Sequence, residues 1–309
     1  MALFALLLAC SQPAPSAAAV EPPPAPAAAP KSLPPEGHPA PARLVAIGDL
    51  HGDPTAALAA LRLAGLVDAS GAWSGGAAWL VQTGDITDRG PDSKGVIALL
   101  RRLTDEARSA GGAVIPLLGN HEVMNVTGDW RYVSAEDLAS YGGEAARKAA
   151  YAPDGVDGAW IVARDAVTRV GSTVFAHGGI DANWSQLGVR GINATVRGAI
   201  LGQGPRDILG PDGPLWNRGY LLADPPVACA ELARALTELG AARMVVGHTT
   251  QKDGRIAERC GGQLWGIDTG ISAHYGSRLS ALVIEGERVT PLYPPTEPVT
   301  GAVSAPSTP

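Results

Sequence analysis

The sequence predicts one α/β domain in which two sheets pack on each other with helices outside. Two observations carry this expectation. Short apolar runs ending at Gly alternate with helix-start signals in the first half of the chain, whereas apolar runs with fewer helices between them fill the second. The side chains able to carry chemistry fall just past those runs, where a rigid sheet would aim short loops at one place.

The first run, residues 43–48, is Arg-Leu-Val-Ala-Ile-Gly and reads as a buried strand stopped by Gly48. Asp53 and Pro54 follow as an N-cap and a first helical residue, with Ala57, Leu58, Leu61 and Leu66 at helical spacing. The same grammar returns twice. Trp79-Leu-Val-Gln-Thr leads to Gly84-Asp85, and Pro91 opens a helix carrying Val96, Ile97, Leu99, Leu100 and Leu103. Ala113-Val-Ile-Pro-Leu-Leu leads to Gly119-Asn120-His121, and Ser134-Ala-Glu-Asp sets up another helix. Further on, Ser172-Thr-Val-Phe-Ala reaches His177, Arg243-Met-Val-Val reaches Gly247-His248, and Leu264-Trp-Gly-Ile reaches Asp268. The run Glu231 to Leu239 reads as a packed amphipathic helix, and Leu279 to Ile284 with Arg288 to Leu292 as a closing hairpin. There is no repeat of fixed period and no heptad pattern.

Composition bounds the foldable part. Residues 11–42 are mainly Pro, Ala and Ser, and residues 294–309 are rich in Pro, Thr and Ser, so neither buries enough surface to offset its ordering entropy. One domain over residues 43–293 is expected between two disordered ends. With 46% hydrophobic but only 5% aromatic residues, Ala, Leu and Val must do most of the packing. A net charge of −6 argues against a general electrostatic grip on nucleic acid. Residues 1–10 form an apolar run suited to a signal segment, and Leu7-Leu8-Ala9-Cys10 resembles the lipobox of bacterial lipoproteins. That resemblance implies an exported chain, anchored to a membrane only through lipid on Cys10, with the Pro/Ala stretch as spacer. Cys229 and Cys260 could pair in such an oxidising compartment or remain free thiols.

Five segments carry the chemistry: Gly48-Asp49-Leu50-His51, Gly84-Asp85-Ile86-Thr87-Asp88-Arg89-Gly90, Gly119-Asn120-His121-Glu122, His177-Gly178-Gly179 and Gly247-His248-Thr249. Asp49 and His51, two apart on extended backbone, would point to one face and grip one metal. Asp85 can bridge two metals; Asn120 offers an amide oxygen, and His177 and His248 bring imidazoles from distant strands. Asp49, His51 and Asp85 thus serve one ion, and Asp85, Asn120, His177 and His248 the other. This mixed O/N set suits Mn²⁺, with Fe or Zn²⁺ as alternatives, rather than a Ca²⁺ cage. Two such ions about 3.5–4 Å apart can share a hydroxide that is nucleophilic at neutral pH. His121 is expected to stay free of metal and to act as general acid, oriented by Asp88, while Arg89 forks onto phosphate oxygens.

Taken together, these five segments resemble the phosphoprotein phosphatase family of calcineurin-like metallophosphatases. Gly119-Asn-His-Glu-Val-Met-Asn-Val-Thr-Gly-Asp-Trp-Arg-Tyr-Val133 and Pro214-Leu-Trp-Asn-Arg-Gly-Tyr220 are similar to its Shewanella-like branch, found in bacteria, plants and some protists. The resemblance implies a β-sandwich of mixed sheets flanked by helices, in four layers α/β/β/α; a monomer is expected. It also implies hydrolysis of phosphomonoesters on proteins, at Ser/Thr or Tyr. Ile267-Asp-Thr-Gly-Ile-Ser272 stands where eukaryotic members carry Ser-Ala-Pro-Asn-Tyr, which leaves a tyrosine contact to phosphate from that loop open. Arg218 is the candidate for a second phosphate clamp, with Arg131 competing.

Two other functions remain in view. Bacterial relatives with similar Asp-Thr-Gly endings split dinucleoside polyphosphates, and an exported lipoprotein could keep the fold as a metal- or ligand-binding module without turnover. Of the remaining groups, Asp268 is expected either to brace a metal-bound histidine or to cap its loop. His274 is expected at the surface and His38 solvated in the linker.

Overall fold

Two five-stranded mixed sheets organise the computed structural model, which describes residues 37–295. In chain order the strands are β1 (Leu44–Ile47), β2 (Trp79–Gln82), β3 (Ala113–Pro116), β4 (Val167–Val170), β5 (Thr173–Ala176), β6 (Arg243–Val246), β7 (Ala257–Arg259), β8 (Leu264–Gly266), β9 (Ala281–Glu285) and β10 (Arg288–Leu292). One sheet runs β10-β9-β1-β2-β3, the other β4-β5-β6-β8-β7. Within the first, β1, β2 and β3 are parallel; within the second, β5, β6 and β8 are. Loops that follow parallel neighbours leave from one edge, so each sheet delivers three of them side by side.

Both faces of each central strand are buried, which explains why the strands read as unbroken apolar runs. Alternate residues separate the two faces. Leu44 and Ala46 of β1, Val81 of β2, Phe175 of β5, Val245 of β6 and Trp265 of β8 meet between the sheets. Val45, Ile47, Leu80, Val174, Met244 and Val246 join the core that contains the helix residues. Helices α1 (Pro54–Leu63) and α2 (Ser93–Ser109) contribute Leu61, Val96 and Leu100 to that outer core, and the helices Gly188–Ile200 and Pro225–Leu239 contribute Ile192, Val196, Leu232 and Leu236. The layering is helix, sheet, sheet, helix. Among the described residues no helix is long and apolar enough to cross a membrane.

Local signals fare unevenly. Asp53 caps α1 by accepting from the Ala56 amide, and Ser134 caps α4 (Ala135–Ser140) by accepting from Asp137, as their side-chain chemistry requires. Pro91, however, does not open α2; Asp92 is its N-cap and Ser93 its first residue. The second half is also richer in helix than its sequence suggests, since Gly188–Ile200 runs for 13 residues and Pro225–Leu239 for 15. Strands β4 and β7 carry too few apolar residues to announce themselves; β7 is Ala-Glu-Arg on a sheet edge. The end of the expected linker is not free either. His38 donates its amide to Arg169 and accepts from Gly171, and its exposed ring meets Trp79 edge-on at 5.6 Å. Residues 1–36 and 296–309, with Cys10, lie outside the described residues.

Cys229 and Cys260 are bonded, with Cα atoms 5.3 Å apart, tying the helix Pro225–Leu239 to the turn after β7. The bridge spans 31 residues, a loop whose closure stabilises a fold by about 3–4 kcal/mol through the unfolded chain. Replacing both cysteines by Ala should lower the midpoint of urea unfolding by a corresponding amount. An unchanged midpoint would show that the bridge is absent from the protein in solution.

Candidate active site

The loops after β1, β2, β3, β5, β6 and β8 meet at one edge of the sandwich, where close backbone approach leaves no room for extra atoms. A Cβ on Gly119 would collide with the Asp85 amide and Oδ1, and one on Gly247 with Asp49 Oδ1. The Asp85 turn is clamped by Glu122, in helix α3 (Asn120–Val126). Glu122 accepts from the amides of Asp85, Ile86, Thr87 and Gly119 at 2.8–3.0 Å and from the Thr87 hydroxyl at 3.0 Å. His51, Asp85, Asp88, Arg89 and His248 all adopt positive φ, between 45° and 71°. Such conformations are strained for non-glycine residues and concentrate where a site dictates side-chain direction.

That backbone corrects the extended-strand argument for Asp49 and His51. The chain turns at His51, held by the Leu50 and His51 amides donating to Asp85 O at 3.0 and 2.9 Å. The turn, not strand alternation, brings His51 Nε2 to 3.9 Å from Asp49 and 3.7 Å from Asp85. All six expected metal-ligand residues are buried here. His51, Asp85 and His121 offer donor atoms within 4.8 Å of one another, as do Asp85, His177 and His248, so Asp85 stands in both groups. Asn120 Oδ1 lies 3.0 Å from His177 Nε2, and Asp49 accepts from the His248 amide at 3.2 Å.

Hydrogen bonding fixes how these rings face. Carbonyl oxygens of Thr87 and Thr83 sit 3.2 and 2.8 Å from Nδ1 of His51 and His177; a carbonyl can only accept, so each Nδ1 donates. The His177 Nε2 then faces the oxygens of Asn120 and Asp85, at 3.0 and 3.2 Å. Donor atoms of Asp85, His177 and His248 converge there closely enough to hold a cation among them. His248 Nε2 is buried with no hydrogen-bond partner, which is costly for a polar atom but natural for a metal ligand. The residues present therefore fit two divalent cations.

Charge divides the neighbouring imidazoles. Burial pushes His51 down to about 4 and His248 well below its usual value. His121 is also largely buried, which opposes its charge, but Asp85 and Asp88 outweigh this and raise it. Asp85 likewise resists burial because His177, His121 and His51 hold its carboxyl well below the ordinary range. Asp49 goes the other way, raised by burial and then by Asp268 and Asp85.

His121 donates from Nδ1 to Asp88 Oδ2 at 2.7 Å, so its Nε2 faces the pocket, 3.8 Å from Asp85 Oδ2. Geometry alone thus places His121 beside the first donor group rather than apart from it. The pocket, about 160 Å³, is lined among others by His51, His121, Arg89, Arg218, Tyr132 and Tyr275. Arg89 stacks 3.8 Å above Tyr132, and Arg218 donates to His248 O at 2.6 Å. Arg131 instead pairs with Asp129 on the exposed surface and is not among the lining residues. The loop after β8 does supply a tyrosine: Tyr275 packs 4.8 Å from the His51 ring. Tyr132 stands 5.0 Å from His121. Neither was legible as a site residue, because only folding of residues 268–278 and 126–133 brings them in. Asp268 caps its own loop, accepting from Thr250 and the Gly270 amide, and no histidine ring is bonded to it among the described residues. His274 is exposed.

Comparison with known proteins agrees with this architecture. A family model described as calcineurin-like phosphoesterase matches residues 42–252. Shewanella-like protein phosphatase 2 of Arabidopsis thaliana is 34% identical over 75% of this chain and 72% of its own length. Shewanella-like protein phosphatase 1 of Plasmodium berghei is 30% identical over 76% of this chain and 69% of its own. Among solved structures, the cold-active protein-tyrosine phosphatase of a psychrophilic Shewanella species superposes with a TM-score of 0.73 and 27% identity, covering 84% of this chain and 80% of that one. The chain belongs to the calcineurin-like phosphoesterase family and is a phosphoesterase hydrolase. Within it, these relatives put the chain in the Shewanella-like branch of the phosphoprotein phosphatases.

Proposed function

We propose that this chain is a phosphoprotein phosphatase that hydrolyses phosphomonoesters on Ser/Thr or Tyr side chains. The observation that supports it best is the convergence on one pocket of a metal donor set, two arginines and a carboxylate-held imidazole. Asp49, His51, Asp85, Asn120, His177 and His248 would hold two divalent ions, manganese being the first choice. Bound there, such ions would supply positive charge to phosphate oxygens and lower the pKa of water enough to provide hydroxide at neutral pH. Arg89 and Arg218 bind and orient the phosphate. His121 donates its Nε2 proton to the leaving oxygen while Asp88 keeps Nδ1–H in place. Tyr132, Tyr275 and Trp216 on the pocket wall favour an aryl leaving group, so phosphotyrosyl peptides should turn over faster than phosphothreonyl ones.

The purified chain loaded with Mn²⁺ and assayed on both peptides and on a dinucleoside tetraphosphate tests this. Dinucleotide cleavage far faster than either peptide would replace the proposal with a dinucleoside polyphosphate hydrolase. No turnover of any of the three would leave a binding module. His121→Ala should lower kcat about 10²–10⁴-fold for esters with poor leaving groups while the bound-metal content stays that of the parent. Undiminished turnover would remove His121 as the acid. Export as a lipoprotein anchored through Cys10 belongs to the same proposal and is supported by the Cys229–Cys260 bond, which persists in oxidising compartments. Replacing Cys10 should release the protein from membranes; unchanged fractionation contradicts the anchor.

A further inference from the structure

Behind the His121–Asp88 pair lies a fully buried guanidinium that the proposed chemistry does not use. Arg147, in helix α5 (Glu144–Tyr151), is 0% exposed and reaches three groups at once. Its Nε donates to Asp137 at 2.9 Å, one terminal nitrogen to Asn125 Oδ1 at 2.6 Å, and the other to Asp88 Oδ1 at 3.4 Å. The Tyr151 ring covers it at 4.2 Å. Asp137 in turn accepts from the Ser93 amide at 2.6 Å, and Ser93 Oγ accepts from the Asp88 amide at 3.0 Å, closing the ring of contacts.

Asn125 is the informative member. A guanidinium has only donors, so the Asn125 atom facing Arg147 must be the carbonyl oxygen. The Asn125 amide nitrogen is thereby turned toward Asp88 Oδ1, at 2.8 Å, and His121 O, also at 2.8 Å. With Oδ1 held by Asn125 and Arg147, Asp88 has Oδ2 alone for the His121 ring. The hydrogen bonds that run from Arg147 through Asn125 to Asp88 therefore have one direction. Without Arg147, the Asn125 amide could rotate, and Asp88 and Asp137 would be two buried carboxylates with no cation between them.

We propose that Arg147, acting through Asn125, is a positioning residue that locks Asp88 and so aims His121 Nε2 at the leaving oxygen. It touches neither substrate nor the metal donors. The inference rests on His121 being the acid, and the test separates failure of one from failure of the other. A misaimed acid slows only esters whose leaving group needs a proton, so 2,4-dinitrophenyl phosphate and phenyl phosphate serve as the good and poor leaving-group substrates.

Arg147→Lys keeps the buried charge but loses the fork. In the Mn²⁺-loaded full chain it should lower kcat for phenyl phosphate about 10–100-fold and for 2,4-dinitrophenyl phosphate by less than about threefold, with KM and metal content unchanged. Asn125→Ala, which leaves the buried charges alone, should reproduce the selective loss and decides the matter if the lysine variant does not fold. In an Asp88→Asn background Arg147→Lys should add nothing further. Equal losses on both substrates, no loss on either, or losses that multiply with Asp88→Asn overturn the proposal. If His121→Ala itself shows no leaving-group selectivity, the assignment of the acid fails and takes the inference with it; if it does and both positioning variants do not, only the inference falls.

Discussion

Glu122→Ala should destabilise the fold by about 4–6 kcal/mol and empty the donor set. Its carboxylate is the shared acceptor for four backbone amides and one hydroxyl, all buried, in the turns that carry Asp85 and Asn120. Each stranded donor costs about 1–3 kcal/mol, and the sum falls short of full additivity because water can enter the vacated space. Glu122→Gln is the sharper variant. It keeps the shape but turns an NH₂ group toward donors, so it too should destabilise, by about 2–3 kcal/mol. Urea unfolding gives the stability and metal analysis of the purified protein gives the site occupancy. A Gln variant as stable as the parent, with its metals retained, would mean that the Asp85 turn holds its left-handed shape without the clamp.

The second large effect belongs to Asp85→Asn. Asp85 is the one carboxylate common to both donor groups, and an amide cannot place negative charge between two cations. Bound metal should fall below two ions per chain, and kcat should drop by about 10³-fold or more. Stability should move differently with and without metal. With metal, the variant forfeits the stabilisation that ligand binding to the native state provides. The asparagine variant should therefore gain less stability than the parent on going from chelator to excess Mn²⁺. Equal stabilisation of both proteins by Mn²⁺ would remove Asp85 from the metal site.

Much of this was legible along the chain. The strands that build the centre of both sheets are unbroken apolar runs because both of their faces are buried, and each ends at the residues that form the site. Edge strands such as β7 gave no such signal, since a strand with one solvated face and an unpaired edge needs few apolar residues. Helix Gly188–Ile200 is not legible in the sequence because its apolar stripe is diluted by three glycines, at 188, 191 and 198, and its stability comes from packing. At the site, donor type could be read from Asp49, His51, Asp85, Asn120, His177 and His248, but not donor direction. His51 shows why: its neighbour Gly52 and the Asp85 carbonyl force a left-handed turn where an extended strand was expected.

Residue chemistry and short-range periodicity are properties of a few consecutive residues, and so the sequence by itself determined the strand grammar and the order of the candidate metal donors. Tertiary structure alone decided that Asp49 meets His248 across 199 positions, that Glu122 holds the Asp85 turn, that Tyr132 and Tyr275 wall the pocket, and that Arg147 lies behind Asp88. Those contacts depend on how two sheets register against each other and on which helix covers their rim. That information is spread over the whole chain and becomes definite only when the core closes.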